Sequence, residues 1–179
     1  MEKILKIISK TLSTMLVALV VLLAVLLVGV RLIGFTPYTV LSGSMEPTYH
    51  VGSVVYVQKI DPAELKVGDP ITFYLTPNVV ATHRIVEIHG EGTPDFGFRT
   101  KGDANETIDG ITPAASVIGK ATFSVPYLGY VSNFLQQPMG LICVVGTSAM
   151  VLILSSVIDA IFAKQTKSEP ESGEEENNV

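Results

Sequence analysis

The sequence predicts a mainly β domain, an antiparallel sheet curled on itself, carried between two transmembrane helices. Three observations predict it. Two long apolar runs, one near each end of the 179-residue chain, are almost free of charge. Between them, short β-rich stretches are separated by Gly, Pro, Asn and Asp clusters. No helical period of any length appears in that middle segment.

The two runs explain why the chain is 47% hydrophobic with a mean hydropathy of +0.45, too apolar for a soluble domain of this size. From Leu12 to Ile33 the only charge is Arg31, and from Met139 to Phe162 it is Asp159. A helix crossing a hydrocarbon core needs ~20 residues, and both runs suffice. The first follows Lys3, Lys6 and Lys10 as a signal peptide would. Its apolar core exceeds the roughly 7–15 residues of such a segment, however, and no A-x-A site follows, so it reads as an uncleaved anchor.

Basic residues set the orientation. Lys3, Lys6 and Lys10 precede the first run against Arg31 after it, and Lys164 and Lys167 follow the second. Both runs predict cytoplasmic termini. The chain then divides into a cytoplasmic N-terminus (1–11), a transmembrane anchor (12–33), an extracytoplasmic β domain (34–138), a second transmembrane helix (139–162) and an acidic, disordered cytoplasmic tail (163–179). The full second span favours a prokaryotic cell membrane over the endoplasmic reticulum. Asp159 reads as an interfacial residue near Lys164.

The outer segment holds six Lys/Arg against ten Asp/Glu, which argues against nucleic acid as a partner. The single cysteine, Cys143, lies in the second run, so no intrachain disulfide is possible. Along this segment, Val51 to Gln58 is β-rich, Asp61-Pro62-Ala63-Glu64-Leu65 reads as a turn or one helical turn, and Val67-Gly68-Asp69-Pro70 as another turn. Ile71 to Leu75 is strand-like, Thr76-Pro77-Asn78 breaks it, and Val79 to His89 is the strongest strand. Phe96 to Lys101 and Ser116 to Ser124 complete the set.

Ser42-Gly43-Ser44-Met45-Glu46-Pro47-Thr48 places Ser44 in a tight turn between a flexible and a proline-limited residue. An exposed hydroxyl beside an open backbone N–H is what an acyl-transfer nucleophile needs, although a plain turn serine has the same local sequence. On the strand Val79 to His89, His83 shares a face with Val79, Ala81 and Ile85, and Arg84 with Thr82, Val86 and Ile88. His83 is therefore either a satisfied core histidine or a base oriented by a carboxylate. Candidate carboxylates lie in Thr100-Lys101-Gly102-Asp103-Ala104-Asn105-Glu106-Thr107-Ile108-Asp109, with Asp103 and Asp109 six apart. An Asx-type turn at Asp103 and a calcium-like set of Asp103, Asn105 and Asp109 are the competing readings. The latter lacks the flanking helices and the final Glu of a calcium loop. His50 and His89 read as surface or strand-end residues. No Cys/His pair has zinc spacing, and no phosphate loop occurs.

Four segments, Ser42 to Thr48, Gly68-Asp69, Thr82-His83-Arg84-Ile85-Val86, and Lys101 to Asn105 with Asp109, stand in an order and spacing that resembles type I signal peptidase. The similarity is to the Ser-His-Asp branch (peptidase family S26B) of the endoplasmic reticulum, archaea and some spore-forming Gram-positive bacteria. It covers roughly residues 36–130. In the common bacterial branch a lysine is the base; here the corresponding strand offers His83.

The resemblance implies a signal-peptidase-type β fold and a serine endopeptidase that removes N-terminal signal peptides from exported preproteins. It implies Ser44 as nucleophile, His83 as general base, Asp109 as the charge-relay aspartate and Asp103 as a supporting acid. The oxyanion hole would be the Ser44 N–H with Ser42. The implied partners are secretory preproteins with small residues at −1 and −3, the lipid bilayer and, as a candidate, the secretion translocon. No metal or cofactor is implied. Pro70 departs from the family pattern, and a strand beginning at Ile71 or lying at an edge would accommodate it.

Even fully extended, the eleven residues from Ile33 reach at most roughly 36 Å, so Ser44 stays near the bilayer. Two alternatives compete. An inert membrane adaptor of the same fold would lack a member of the site, and none is missing. A Ser-Lys hydrolase would use Lys59, Lys66 or Lys101, but a neutral lysine must be desolvated, whereas Lys59 sits beside a turn and Lys101 follows Arg99 in a glycine-rich loop, so His83 is the better base.

Overall fold

The computed structural model describes residues 2–166. Its described residues divide into two compact units, 2–23 with 137–166, and Ala24–Gln136. Two helices, α1 (Glu2–Leu27), which belongs to the first unit as far as Leu23, and α3 (Pro138–Thr166), which lies in it, contain apolar stretches, Ile7–Leu27 and Pro138–Ile158, long enough to cross a membrane. Within the first unit Ser9 Oγ donates to Ser155 Oγ at 3.1 Å. The segment 12–33 is not one helix: α1 stops at Leu27, and Gly29–Ile33 forms a 3-10 turn closed by Gly34 at φ 89°. Lys167, the tail from Ser168 to Val179 and the side chains of Asp159 and Lys164 lie outside the described residues.

The second unit is built on a seven-stranded antiparallel sheet. Its strands are β1 (Phe35–Thr39), β2 (Val54–Gln58), β3 (Pro70–Thr76), β4 (Val79–His89), β5 (Gly97–Lys101), β6 (Ile111–Pro113) and β7 (Val117–Val125). Their order is β1-β2-β7-β3-β4-β5-β6. The mainly β fold expected from the sequence is present, with three differences. β1 and β6 were not expected; each contains a proline, and they are the two edge strands, where a missing N–H costs no ladder bond. β3 begins at Pro70, opposite Arg84, and lies inside the sheet rather than at an edge. Proline is tolerated there because it is the first residue of the strand. Finally, α2 (Leu128–Gln136) is a helix in a segment read as having none. Gly129 donates from its N–H to the Gly52 carbonyl, and the Tyr130 ring fills the space beside Gly52, whose φ of +82° already favours glycine.

The core has two parts, and each holds one side of the site. Met45 and Tyr49 bury with Val55, Val57 and Ala121, and Tyr49 Oη donates to the Ala121 carbonyl at 3.3 Å. These two side chains peg down the Ser44 turn, each contributing ~1.5–3 kcal/mol by burial. Under β3, β4 and β5 a second cluster packs Leu65, Ile71, Phe73, Ile85 and Phe98. It fixes β4, whose Ile85 is the one fully buried residue of the strand.

Candidate active site

Ser44 is half-buried in the turn that precedes the buried Met45. Its carbonyl accepts from the Ala104 N–H at 2.9 Å, so the serine turn is tied directly to the loop after β5. The Ser44 N–H makes no hydrogen bond among the described residues. Within the same turn Glu46 Oε2 is 2.6 Å from His50 Nδ1, and Glu46 Oε1 accepts from the Val51 N–H, which leaves His50 on the surface as expected. His89 ends β4 and is exposed.

His83 projects from β4 with Nε2 3.3 Å from Ser44 Oγ and Nδ1 2.6 Å from Asp109 Oδ2. The imidazole is nearly enclosed, its side chain 13% exposed. A carboxylate can only accept, so the His83 Nδ1 carries a hydrogen and Nε2 is left as the acceptor facing Ser44. Asp109 is itself held twice. Its Oδ2 accepts from Thr100 Oγ1 at 2.8 Å, and its N–H donates to the Thr100 carbonyl at 2.8 Å.

Asp103, six residues earlier, faces elsewhere. Arg84 grips it with a two-pronged pair, Nε to Oδ1 at 2.8 Å and Nη2 to Oδ2 at 2.6 Å. Arg84 Nη1 also donates to the Gly68 carbonyl at 2.8 Å, and Thr48 Oγ1 donates to Asp103 Oδ2. These hydrogen bonds, Arg84's first, hold the Asp103 carboxyl below the usual carboxylate range against the opposing effect of burial. The same pairing raises the Arg84 guanidinium further. Asp103 thus ties the serine turn to β4 and to Gly68. Neighbouring Asp69 is bound by Lys120 Nζ at 2.6 Å. Burial raises its carboxyl, but Lys120 and the Lys66 N–H outweigh this and leave it lowered.

Ser44, His83 and Asp109 therefore form one hydrogen-bonded series, and Asp103 lies beside it in a separate clamp. Asp103 and Asp109 do not share a cation-like cluster, being engaged by Arg84 and His83 respectively. Ser42 is exposed and lines the same cavity as Ser44 and His83. That cavity, of about 590 Å³, is walled by Tyr38 to Ser42 on one side and Val79 to Thr82 on the other. Arg84, Thr48 and Thr100 were missed from sequence. The available signal was Arg84 itself, a charge amid Thr82, Val86 and Ile88 that calls for a counter-ion.

A fold of this kind, with a serine, a histidine and an aspartate in hydrogen-bonded series beside a cleft, defines a hydrolase-like β protein. The family described as signal peptidase, peptidase S26, matches residues 12–92, a segment that contains Ser42, Ser44 and His83 and ends before Asp103 and Asp109. The chain is 39% identical over 112 residues to "Signal peptidase I W" of Bacillus subtilis (strain 168), covering 58% of each. It is 31% identical over 107 residues to "Signal peptidase complex catalytic subunit SEC11C" of Homo sapiens, covering 55% of this chain and 56% of that one. To "Putative signal peptidase complex catalytic subunit SEC11B" of Homo sapiens it is 30% identical over 111 residues, 57% of this chain and 67% of that one. The chain belongs to the signal peptidase family S26. It matches a little over half the length of the first two relatives, 58% and 56%. The family and the two apolar helices together mark it as membrane-associated.

Proposed function

We propose that the chain is a membrane-bound serine endopeptidase that removes N-terminal signal peptides from exported preproteins. The observation that carries this reading is the hydrogen-bonded series Ser44–His83–Asp109 opening on the cavity between β1 and β4. Ser44 is the nucleophile, His83 the general base, Asp109 the residue that orients the imidazole, and Asp103 a supporting acid.

The mechanism follows from the geometry. Asp109 fixes the His83 ring with its hydrogen on Nδ1, so that Nε2 receives the Ser44 proton as Oγ attacks the scissile carbonyl. The separation of 3.3 Å is at the long end of the hydrogen-bond range and needs only a small approach. The oxyanion forms beside the free Ser44 N–H, with the Ser42 hydroxyl as second donor. His83 then protonates the leaving amine, and a water deprotonated by His83 cleaves the acyl-enzyme.

The substrate lies extended. β5 pairs with β4 only from Arg84 onward, and β1 has β2 as its one strand neighbour among the described residues. Val79–His83 and β1 thus each present an unpaired backbone edge to the cavity, which supports an added strand between them. Small residues at −1 and −3, and the translocon as a neighbour, come from the family resemblance. The basic residues flanking the two apolar runs support two spans, cytoplasmic termini and a site on the outer face of a cell membrane.

Purified full-length chain incubated with a preprotein bearing alanine at −1 and −3 tests the activity. The expected result is one cut at the signal-peptide junction. An intact preprotein, bound but uncut, would favour the inert adaptor instead.

A further inference from the structure

A second cavity, of about 560 Å³, adjoins β1 and shares Tyr38, Thr39 and Leu41 with the first. Its lining includes Leu27, Arg31, Leu41, Ser132, Leu135 and Gln136. We infer that it holds the headgroup of an anionic phospholipid, with the phosphate on Arg31. This rests on the membrane-spanning reading of α1 and α3.

Three features carry the inference. The first is chain position. Leu27 is the last residue of the apolar run Ile7–Leu27, and Gln136 stands two residues before Pro138, where the second run begins. The cavity is therefore lined by residues at the points where the chain leaves both membrane-length stretches, which is where lipid headgroups lie. Leu32 and Ile33 beside Arg31 are 90% and 71% exposed. Tyr127, at the start of α2, and Tyr130 and Phe134 within it are also exposed. Aromatic side chains at the edge of a span suit the headgroup level.

The second feature is charge. Arg31 makes no side-chain hydrogen bond or ion pair among the described residues, whereas Arg84, Arg99 and Lys120 are all paired. A guanidinium presents a fork of donors that matches phosphate oxygens two at a time.

The third is selectivity. No Asp or Glu lines the cavity, so a headgroup carrying an ammonium would find no counter-charge there. Ser132 and Gln136, joined by a 3.1 Å hydrogen bond, leave an amide N–H and a carbonyl for the hydroxyls of a glycerol headgroup. Leu27, Leu41 and Leu135, which also line the cavity, offer apolar contact to the lipid's carbon chains.

The test uses full-length chain in detergent. Short-chain phosphatidylglycerol, phosphatidylcholine with the same chains, and inorganic phosphate are offered separately, and native mass spectrometry counts what is retained. Wild type should hold one phosphatidylglycerol, less phosphatidylcholine, and no free phosphate at the same concentration. Arg31→Gln should weaken phosphatidylglycerol retention about tenfold, the worth of one charge-assisted pair, and Arg31→Lys should fall between. Equal retention by wild type and Arg31→Gln would overturn the site. So would phosphatidylcholine held as well as phosphatidylglycerol, or phosphate held as tightly as lipid. Alkaline extraction of the chain from cell membranes separately tests the spanning reading, so the two failures are distinguishable.

Discussion

His83 Nδ1 lies 2.6 Å from Asp109 Oδ2, while Asp103, six residues earlier on the same loop, is held by Arg84. This separates two acids that look alike in sequence. One is hydrogen-bonded to the imidazole, and the other ties the serine turn to β4.

Asp109→Asn should therefore lower turnover by about 10³–10⁴, because an amide of the same shape favours the wrong imidazole tautomer. Its melting temperature should stay close to wild type. Asp103→Ala should lower both, at a cost of ~1–3 kcal/mol for the lost charge-assisted bonds and the stranded Arg84. Initial rates and thermal melts on the two purified variants decide it. An inactive but normally melting Asp103→Asn, beside an active Asp109→Asn, would reverse the roles.

Acid should act through the same clamp. The Asp103 carboxyl is lowered in the folded protein, chiefly by Arg84, so its contribution is complete above the ordinary aspartate value of about 3.9. It is lost as pH falls below that value and through the lowered one. Melting temperature against pH should thus fall less steeply below about pH 4 in Asp103→Asn than in wild type. Parallel curves would show that the pair contributes no pH-linked stability.

Gly102 is a test of how the serine turn is held. A Cβ at this position would come within 2.6 Å of the Ser44 carbonyl oxygen and 2.7 Å of Asn105 Nδ2. The backbone oxygen cannot yield without moving Ser44, and the Ala104 N–H bond to that oxygen would be strained. Gly102→Ala should lower kcat at least about tenfold, the effect of a small misplacement of a reacting group. Unchanged kcat would show that the turn tolerates the shift.

The base should be histidine alone. Lys101 sits on β5 opposite Arg84 and makes no hydrogen bond to Ser44. His83→Ala and His83→Lys should both fall to about 1% of wild-type activity or less, with Lys101→Ala close to wild type. The opposite pattern would establish a serine-lysine enzyme.

Much of this was legible from residue order. β4 runs from Val79 to His89 as expected, because it is rich in β-branched residues and bounded by the turn-forming Pro77-Asn78 and Gly90. β1 and β6 were hidden by Pro37 and Pro113, whose cost disappears only at sheet edges, and edges are set by the whole topology. α2 was hidden by Gly129, Val131 and Asn133, all weak helix formers, although Leu128, Val131 and Leu135 do keep a helical spacing. At the site, local chemistry made Ser44 and His83 candidates beside plainer readings, and the resemblance of four segments in register singled them out. The choice between Asp103 and Asp109 was not, because it depends on which strand closes over each carboxylate. Thr100 reaches one and Arg84 the other, and neither contact has a local signature.

The most direct test of the central claim is the rate at which purified Ser44→Ala cleaves a preprotein in detergent, with the new N-terminus identified by mass spectrometry. The account predicts a folded, membrane-inserted variant with less than about 1% of wild-type cleavage at the signal-peptide junction. Cleavage at that junction close to the wild-type rate would contradict it, since another group, such as the exposed Ser42 of the same cavity, would then have to supply the nucleophile.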